Sequence, residues 1–216
     1  MVLRPQGAGV KDTLSMPAPG LLWAVTAIWL LALLASGIAP HDRLTWFMEV
    51  LPVLIAAPLL ITTRATFPLT RLAYVLICIH GLILILGGAY TYARVPPGLW
   101  VQDWLGLARN PYDRLGHLAQ GFVPAIVARE LLLRVFQIGR GKFLFFIVVC
   151  ICLAISAFYE LIEWWSALLL GQGAQDFLGT QGDVWDTQWD MFLALVGAVL
   201  ALLTLSRLHD RQLQRA

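Results

Sequence analysis

From Gly20 to Ala39 the chain runs without a single charged side chain. About 20 such residues make a helix long enough to cross the roughly 30 Å hydrocarbon core of a bilayer. No water is present there to take up backbone hydrogen bonds, so a lone segment is restricted to a helix. Four further apolar runs follow. Leu44–Thr62 carries one acid, Glu49, and Leu72–Ala93 carries only His80. Phe143–Tyr159 continues past Glu160 and Glu163 to Leu170, and Met191–Ser206 starts a turn earlier, near Asp186. Asp113–Gln137 is more polar: Leu115, Leu118, Phe122, Ile126 and Val127 alternate with Asp113, His117, Arg129 and Glu130. It counts as a span because the last two runs would otherwise face the wrong way.

The expectation is therefore an all-α integral membrane protein, a bundle of six transmembrane helices forming one membrane domain at 20–206. A flexible cytoplasmic tail (1–19) precedes it and a cytoplasmic tail (207–216) follows it. Arg4 and Lys11 give the first run a positive start, but that run exceeds the 7–15 residues of a signal h-region, so it reads as an anchor. Composition agrees. The chain is 59% hydrophobic and 13% charged, against roughly 25% charged in soluble domains. A soluble fold, a disordered chain and a disulfide scaffold are excluded. A net charge of +2 is too small to imply nucleic acid. Cys78, Cys150 and Cys152 all lie in apolar runs and read as small packing residues.

Orientation follows from Lys and Arg. With six spans, one side of the membrane holds Arg4, Lys11, Arg64, Arg71, Arg134, Arg140, Lys142, Arg207, Arg211 and Arg215. The other holds Arg43, Arg94, Arg109 and Arg114. The positive-inside rule then puts both termini in the cytoplasm. Trp46, Trp100, Trp104, Trp164, Trp165, Trp185 and Trp189 gather at the outer interface, where amphipathic rings collect. Trp100–Ala108, after Pro96-Pro97-Gly98, reads as a short helix lying on that interface.

Charges inside spans cost about 2.5–3.5 kcal/mol each on insertion scales, so those that persist need a partner or a function. Asp113, His117 and Gln120 share one stripe within about 11 Å of the outer end of their helix. Glu160 and Glu163 lie about 26–30 Å along theirs, again near the outer side. Asp183, Asp186 and Asp190 form a third stripe. Three helix ends thus bring six carboxylates and one imidazole to one face, with Arg109 and Arg114 the nearby counter-charges. His117, Asp113, Glu160 and Glu163 are the candidate catalytic residues, His117 or a glutamate acting as base. Asp183, Asp186 and Asp190 are the candidate metal ligands. Oxygen-rich ligands favour Mg, Mn or Ca over Zn. Glu49 is placed either to join this cluster or to pair with Arg43.

The remaining polar groups have plainer readings. Asp176 is part of a solvated rim, and Glu130 and Arg134 form a structural ion pair at the inner interface. His80 pairs with a polar group across helices. His41 sits in a turn and His209 in the cytoplasmic tail. Gly81, Gly87 and Gly88 are close-packing positions.

Three motifs carry a resemblance: Tyr112-Asp113-Arg114-Leu115-Gly116-His117 with Gln120-Gly121-Phe122-Val123-Pro124, Phe158-Tyr159-Glu160-Leu161-Ile162-Glu163-Trp164-Trp165, and Phe177 through Met191. Together they resemble the YjdF-like family of bacterial inner-membrane proteins, which are multi-pass and of unknown function. More distantly, Asp113, His117, Glu160, Asp186 and Asp190 resemble a pattern in the VanZ-like membrane proteins, linked to glycopeptide-antibiotic tolerance at the cell envelope. Neither resemblance supplies an established catalytic residue.

Three functions remain open. One is a cation-assisted hydrolase or transferase acting on a lipid-linked envelope substrate from the outer face, since a divalent ion bridges anions. Another is a binder or transporter of cations or cationic solutes drawn by the acidic vestibule. The last is a non-catalytic envelope or stress-accessory protein held together by its polar cluster. The partner common to all three is the lipid bilayer.

Overall fold

A computed structural model of the chain describes residues 20–171, 175–178 and 180–215. The expected tail at 1–19 lies outside the described residues, as does the Asp176 side chain. Among the described residues the structure is all-helical, with no strand. The helices are α1 (Gly20–Ile38), α2 (Arg43–Thr63), α3 (Arg71–Tyr90), α4 (Pro96–Leu105), α5 (Tyr112–Arg134), α6 (Lys142–Leu170), α7 (Gln175–Leu178) and α8 (Asp186–Arg215), with a 3-10 turn at Tyr92–Arg94. Five of them, α1, α2, α3, α6 and α8, are long and apolar enough to cross a membrane. Their outward faces carry bare side chains such as Leu31, Ile38, Phe143 and Leu203, the distribution expected where lipid is the solvent.

Local sequence sets the helix ends. Asp42 caps α2, its carboxylate accepting a hydrogen bond from Thr45 N at 2.7 Å. That bond holds the Asp42 carboxyl below its usual range. Thr70 caps α3 in the same way through Ala73 N. The third apolar run stops three residues early, at Tyr90, because Thr91 takes a positive φ of 53° and folds the chain back. Tyr92 then lies over Gly87, where a Cβ would come within 2.5 Å of its ring. The short helix expected from Trp100 starts instead at Pro96, with proline at its first position. It ends at Leu105 because Gly106 adopts the left-handed conformation. Trp100 and Trp104 remain 71% and 83% exposed.

The bundle has two parts. α1, α2 and α3 pack on one another, and α5, α6 and α8 form a second group, with α3 against α5 joining them. α5 and α8 run parallel and make the most extensive contact in the molecule. Their backbones meet at two glycines. A Cβ on Gly121 would lie 1.8 Å from Ala194 O, and one on Gly197 would lie 2.1 Å from Leu118 O. Buried Ala125, Ala128, Ala198 and Ala201 extend this seam of small residues, the usual device for close helix approach in lipid. Gly81 does likewise for α1, since Trp29 lies across it and donates its indole N–H to Cys78 O at 3.1 Å. Gly88 faces Glu49 and Trp46 of α2.

At the arginine-rich end a network closes around Glu130, which is fully buried. It accepts from Thr70 N at 3.0 Å, Thr70 Oγ1 at 2.7 Å and Arg134 at 2.6 Å. His209 lies on the same carboxylate at 3.0 Å. Arg129 reaches His209 Nδ1 at 2.9 Å and Asp210 at 2.7 Å. A guanidinium can only donate, so Nδ1 accepts and Nε2 carries the proton given to Glu130. The Glu130–Arg134 pair expected from the sequence is thus one part of a larger clamp. α8 continues to Arg215, and His209, read as a tail residue, is buried on this helix against Arg129 and Glu130.

Two outcomes test this packing. Gly121→Val or Gly197→Val should lower stability by about 2 kcal/mol or more, while Gly139→Ala, with nothing near its Cβ position, should be neutral. Glu130→Ala should cost about 3–5 kcal/mol, because Arg134 loses its buried partner. Thermal unfolding of purified protein in detergent measures all four.

Candidate functional site

The other end of the bundle carries Trp100, Trp104, Trp185 and Trp189 together with a second polar cluster. The loop before α5 is built around Asn110, which is fully buried. Its amide donates to Ala93 O and Val95 O, both at 3.1 Å, and its Oδ1 accepts from Tyr112 N at 2.9 Å. Gly98 is required beside it, since a Cβ there would lie 1.9 Å from Asn110 Oδ1. Gln181, at a φ of 47°, exchanges two hydrogen bonds with the Asn110 backbone. These contacts fix the loop before α8 against the start of α5.

Two arginines occupy the junction. Arg109 binds Asp113 at 2.8 Å, is ion-paired to Asp186, and lies 3.7 Å from Asp183. Arg114 binds Asp190 at 2.6 Å, Asp183 at 2.9 Å and Asp186 at 3.0 Å. Its guanidinium also lies 5.9 Å from the centre of the Trp189 ring. Asp183 is therefore at the exposed edge of the cluster, with 26% of its side chain accessible, while Asp190 is at its floor with 3%.

The arginines leave one oxygen of two key carboxylates turned inward. Arg109 takes Asp113 Oδ2 and Arg114 takes Asp190 Oδ1. The opposite oxygens, Asp113 Oδ1 and Asp190 Oδ2, lie 3.5 and 3.7 Å from His117 Nε2. The other ring nitrogen, Nδ1, lies 3.2 Å from Gln120 Oε1. Glu160 faces the same ring from α6 at 4.0 Å. Its Oε1 is buried with no hydrogen-bond partner. Two sets bring ligand atoms within 4.8 Å of one another: Asp113, His117 and Asp190, and His117, Glu160 and Glu163. Of the expected metal ligands, only Asp190 belongs to such a set. Asp183 and Asp186 lie against the arginines.

A cavity of about 220 Å³ opens beside His117, lined by Asp113, Gln120, Glu163 and, from the first half of the chain, Glu49, His80 and Tyr92. Glu49 is only 4% exposed and accepts a hydrogen bond from Tyr159 Oη at 3.3 Å. It joins the cluster. His80, expected to pair across helices, instead presents Nε2 with no hydrogen-bond partner. Tyr92 and Tyr159 were not singled out as site residues: Tyr159 stood only as part of the motif around Glu160, and Tyr92 lay within the expected third span. Among the described residues no Lys or Arg pairs with Glu49, Glu160 or Glu163.

Among the described residues, an all-helical bundle with five helices long and apolar enough to cross a membrane marks the class as a multi-pass membrane protein. The family model described as "Predicted membrane protein (DUF2238)" matches residues 21–211, and the chain belongs to that family. It is 60% identical over 185 residues to the inner membrane protein YjdF of Escherichia coli strain K12, covering 86% of this chain and 88% of that relative. No solved structure matches.

The arginine lattice predicts a gradient of effects. Arg114→Leu should cost about 3 kcal/mol, because buried Asp190 would lose its guanidinium partner. Asp183→Asn, at the exposed edge, should cost under about 1 kcal/mol. Thermal midpoints of the two variants check the order.

Proposed function

We propose that the protein is a six-span inner-membrane protein, both termini cytoplasmic, whose outer-end pocket binds a divalent cation and uses it to hydrolyse or transfer a group on a lipid-linked envelope substrate. The sixth span is α5. Its length of 23 residues suffices, and its charges are sheathed by α3, α6 and α8. The orientation rests on the arginines at the end opposite the pocket. The inner-membrane location rests on the name of the relative.

One observation carries the site. Asp113 Oδ1, Asp190 Oδ2 and His117 Nε2 face a common point, and a separate group fixes each: Arg109, Arg114 and Gln120. A histidine whose second nitrogen donates to an amide oxygen, beside carboxylates held by outer partners, is the arrangement that orients metal ligands. The separations of 3.5 and 3.7 Å are too long for good hydrogen bonds and leave room for an ion between the three atoms. Seven carboxylates converge here (Glu49, Asp113, Glu160, Glu163, Asp183, Asp186, Asp190) against two guanidiniums. A bound cation would offset that excess. Asp183 and Asp186 then act by holding the arginines. Glu160 and Glu163, beside His117 and without an arginine or lysine partner among the described residues, are the groups positioned to take a proton from water or from an attacking hydroxyl.

Elemental mass spectrometry of protein purified without chelator and then supplied with Mg, Mn, Ca or Zn is the test. Near-stoichiometric metal is expected in the wild type and in Asp183→Asn. At least a fivefold loss is expected in His117→Ala and Asp190→Asn. Absence of bound metal from the folded wild type would sink the reading and favour a non-catalytic polar clamp.

A further inference from the structure

α2 and α6 flank the polar pocket but do not pack along one another. They are bridged near the pocket by the Tyr159–Glu49 hydrogen bond. Beyond that bridge lies an apolar groove of about 630 Å³, walled by Ala56 and Leu59 of α2 and Ile155 of α6, and floored by Ile77 of α3 with Val127 and Leu131 of α5. Val53 and Val123 at its inner side are 1% and 4% exposed, while Leu59, Leu131 and Ile155 are 56%, 38% and 42% exposed. The groove therefore opens sideways, onto the face that meets lipid. From Pro52 to Thr63 it runs about 16 Å along α2, roughly half the hydrocarbon thickness.

The groove and the polar cavity adjoin one another. Pro52, His80, Leu84, Pro124 and Ile155 line both. The composite space is thus an amphiphile's negative image, a polar chamber near the membrane surface with an apolar channel leading from it toward the opposite side. His80 sits where the two meet, its Nε2 without a hydrogen-bond partner.

We propose that a membrane lipid enters sideways between α2 and α6, lays one hydrocarbon chain in the groove and places a phosphate-bearing head in the cavity beside His117. The phosphate part rests on the cation site proposed above, because an acidic chamber holds a phosphate only through a bridging cation. The chain part rests on the groove alone. An amphiphile standing in this space has the orientation of a lipid of the leaflet nearest the pocket, so neither flipping nor extraction is needed for it to bind.

The test uses the full chain in phosphatidylcholine nanodiscs containing hexadecyl phosphate with a diazirine near the chain end, and maps adducts by peptide mass spectrometry. Adducts concentrated at Leu59, Leu131 and Ile155, and chased by unlabelled hexadecyl phosphate, are expected. Ala56→Trp and Val127→Trp, which fill the groove without touching the cavity, should reduce them at least fivefold while leaving metal content unchanged. Adducts spread evenly over outward residues such as Leu31 and Leu203 in the wild type would overturn the proposal, whether or not the tryptophan variants fold. So would a groove protected from labelling by a second copy of the chain, seen as a crosslinked dimer. Groove-specific labelling in a protein that binds no metal would uphold the chain site and overturn the phosphate assignment together with the cation reading. A metal-loaded protein with no groove-specific labelling would overturn the lipid site alone.

Discussion

The close parallel contact between α5 and α8 is the constraint on which the rest of the molecule depends. Two glycines let the backbones touch, and touching sets the register of every side chain above and below. Toward one end that register brings Arg114 to Asp190, and toward the other it brings Arg129 to His209 and Asp210. A helix with as many charges as α5 is stable in a bundle only where each charge meets an opposite one. The polar groups at the two ends and the small residues between them are therefore one design. Loosening the glycine seam would separate charges at both ends.

That design also explains how the pocket is built. α8 delivers Asp190, α5 delivers Asp113 and His117, and α6 delivers Glu160 and Glu163, all from helix segments rather than mobile loops. The first three helices add Glu49 and His80 from across the bundle. The two halves of the chain meet loosely on the α2–α6 side, and the apolar groove lies there. One side of the pocket is closed by small residues paired along α5 and α8, and the other is open, with Leu59 and Ile155 on opposite walls of the groove between α2 and α6.

Much of this was legible in the sequence. Apolar runs marked most of the helices, and spacings of three and four marked the stripe Asp113–His117–Gln120 and the pair Asp186–Asp190, whereas Asp183, expected on the same stripe, lies in the turn before α8. What escaped depended on long-range partners. Nothing local to Glu49 says that Tyr159, 110 residues away, will hold it. His209 looked like a tail residue because hydropathy falls after Ser206, yet Arg129 and Glu130 draw it into the bundle. Gly121 and Gly197 stood out less than the Gly87-Gly88 pair, although their approach is closer. Arg109 and Arg114 were visible as counter-charges, but their effect was not. By binding one oxygen of each carboxylate they decide which oxygen remains for His117.

The charge pairing of α5 also has a consequence in time. The aspartates that satisfy Arg114 are made 69–76 residues after it, and the aspartate that satisfies Arg129 comes 81 residues after its arginine. When α5 leaves the ribosome, those partners do not yet exist. Hydropathy alone does not commit such a helix to the bilayer. The apolar length of the first three helices suffices by itself, whereas pairing of the charges on α5 is complete only once α8, the last helix, has been made.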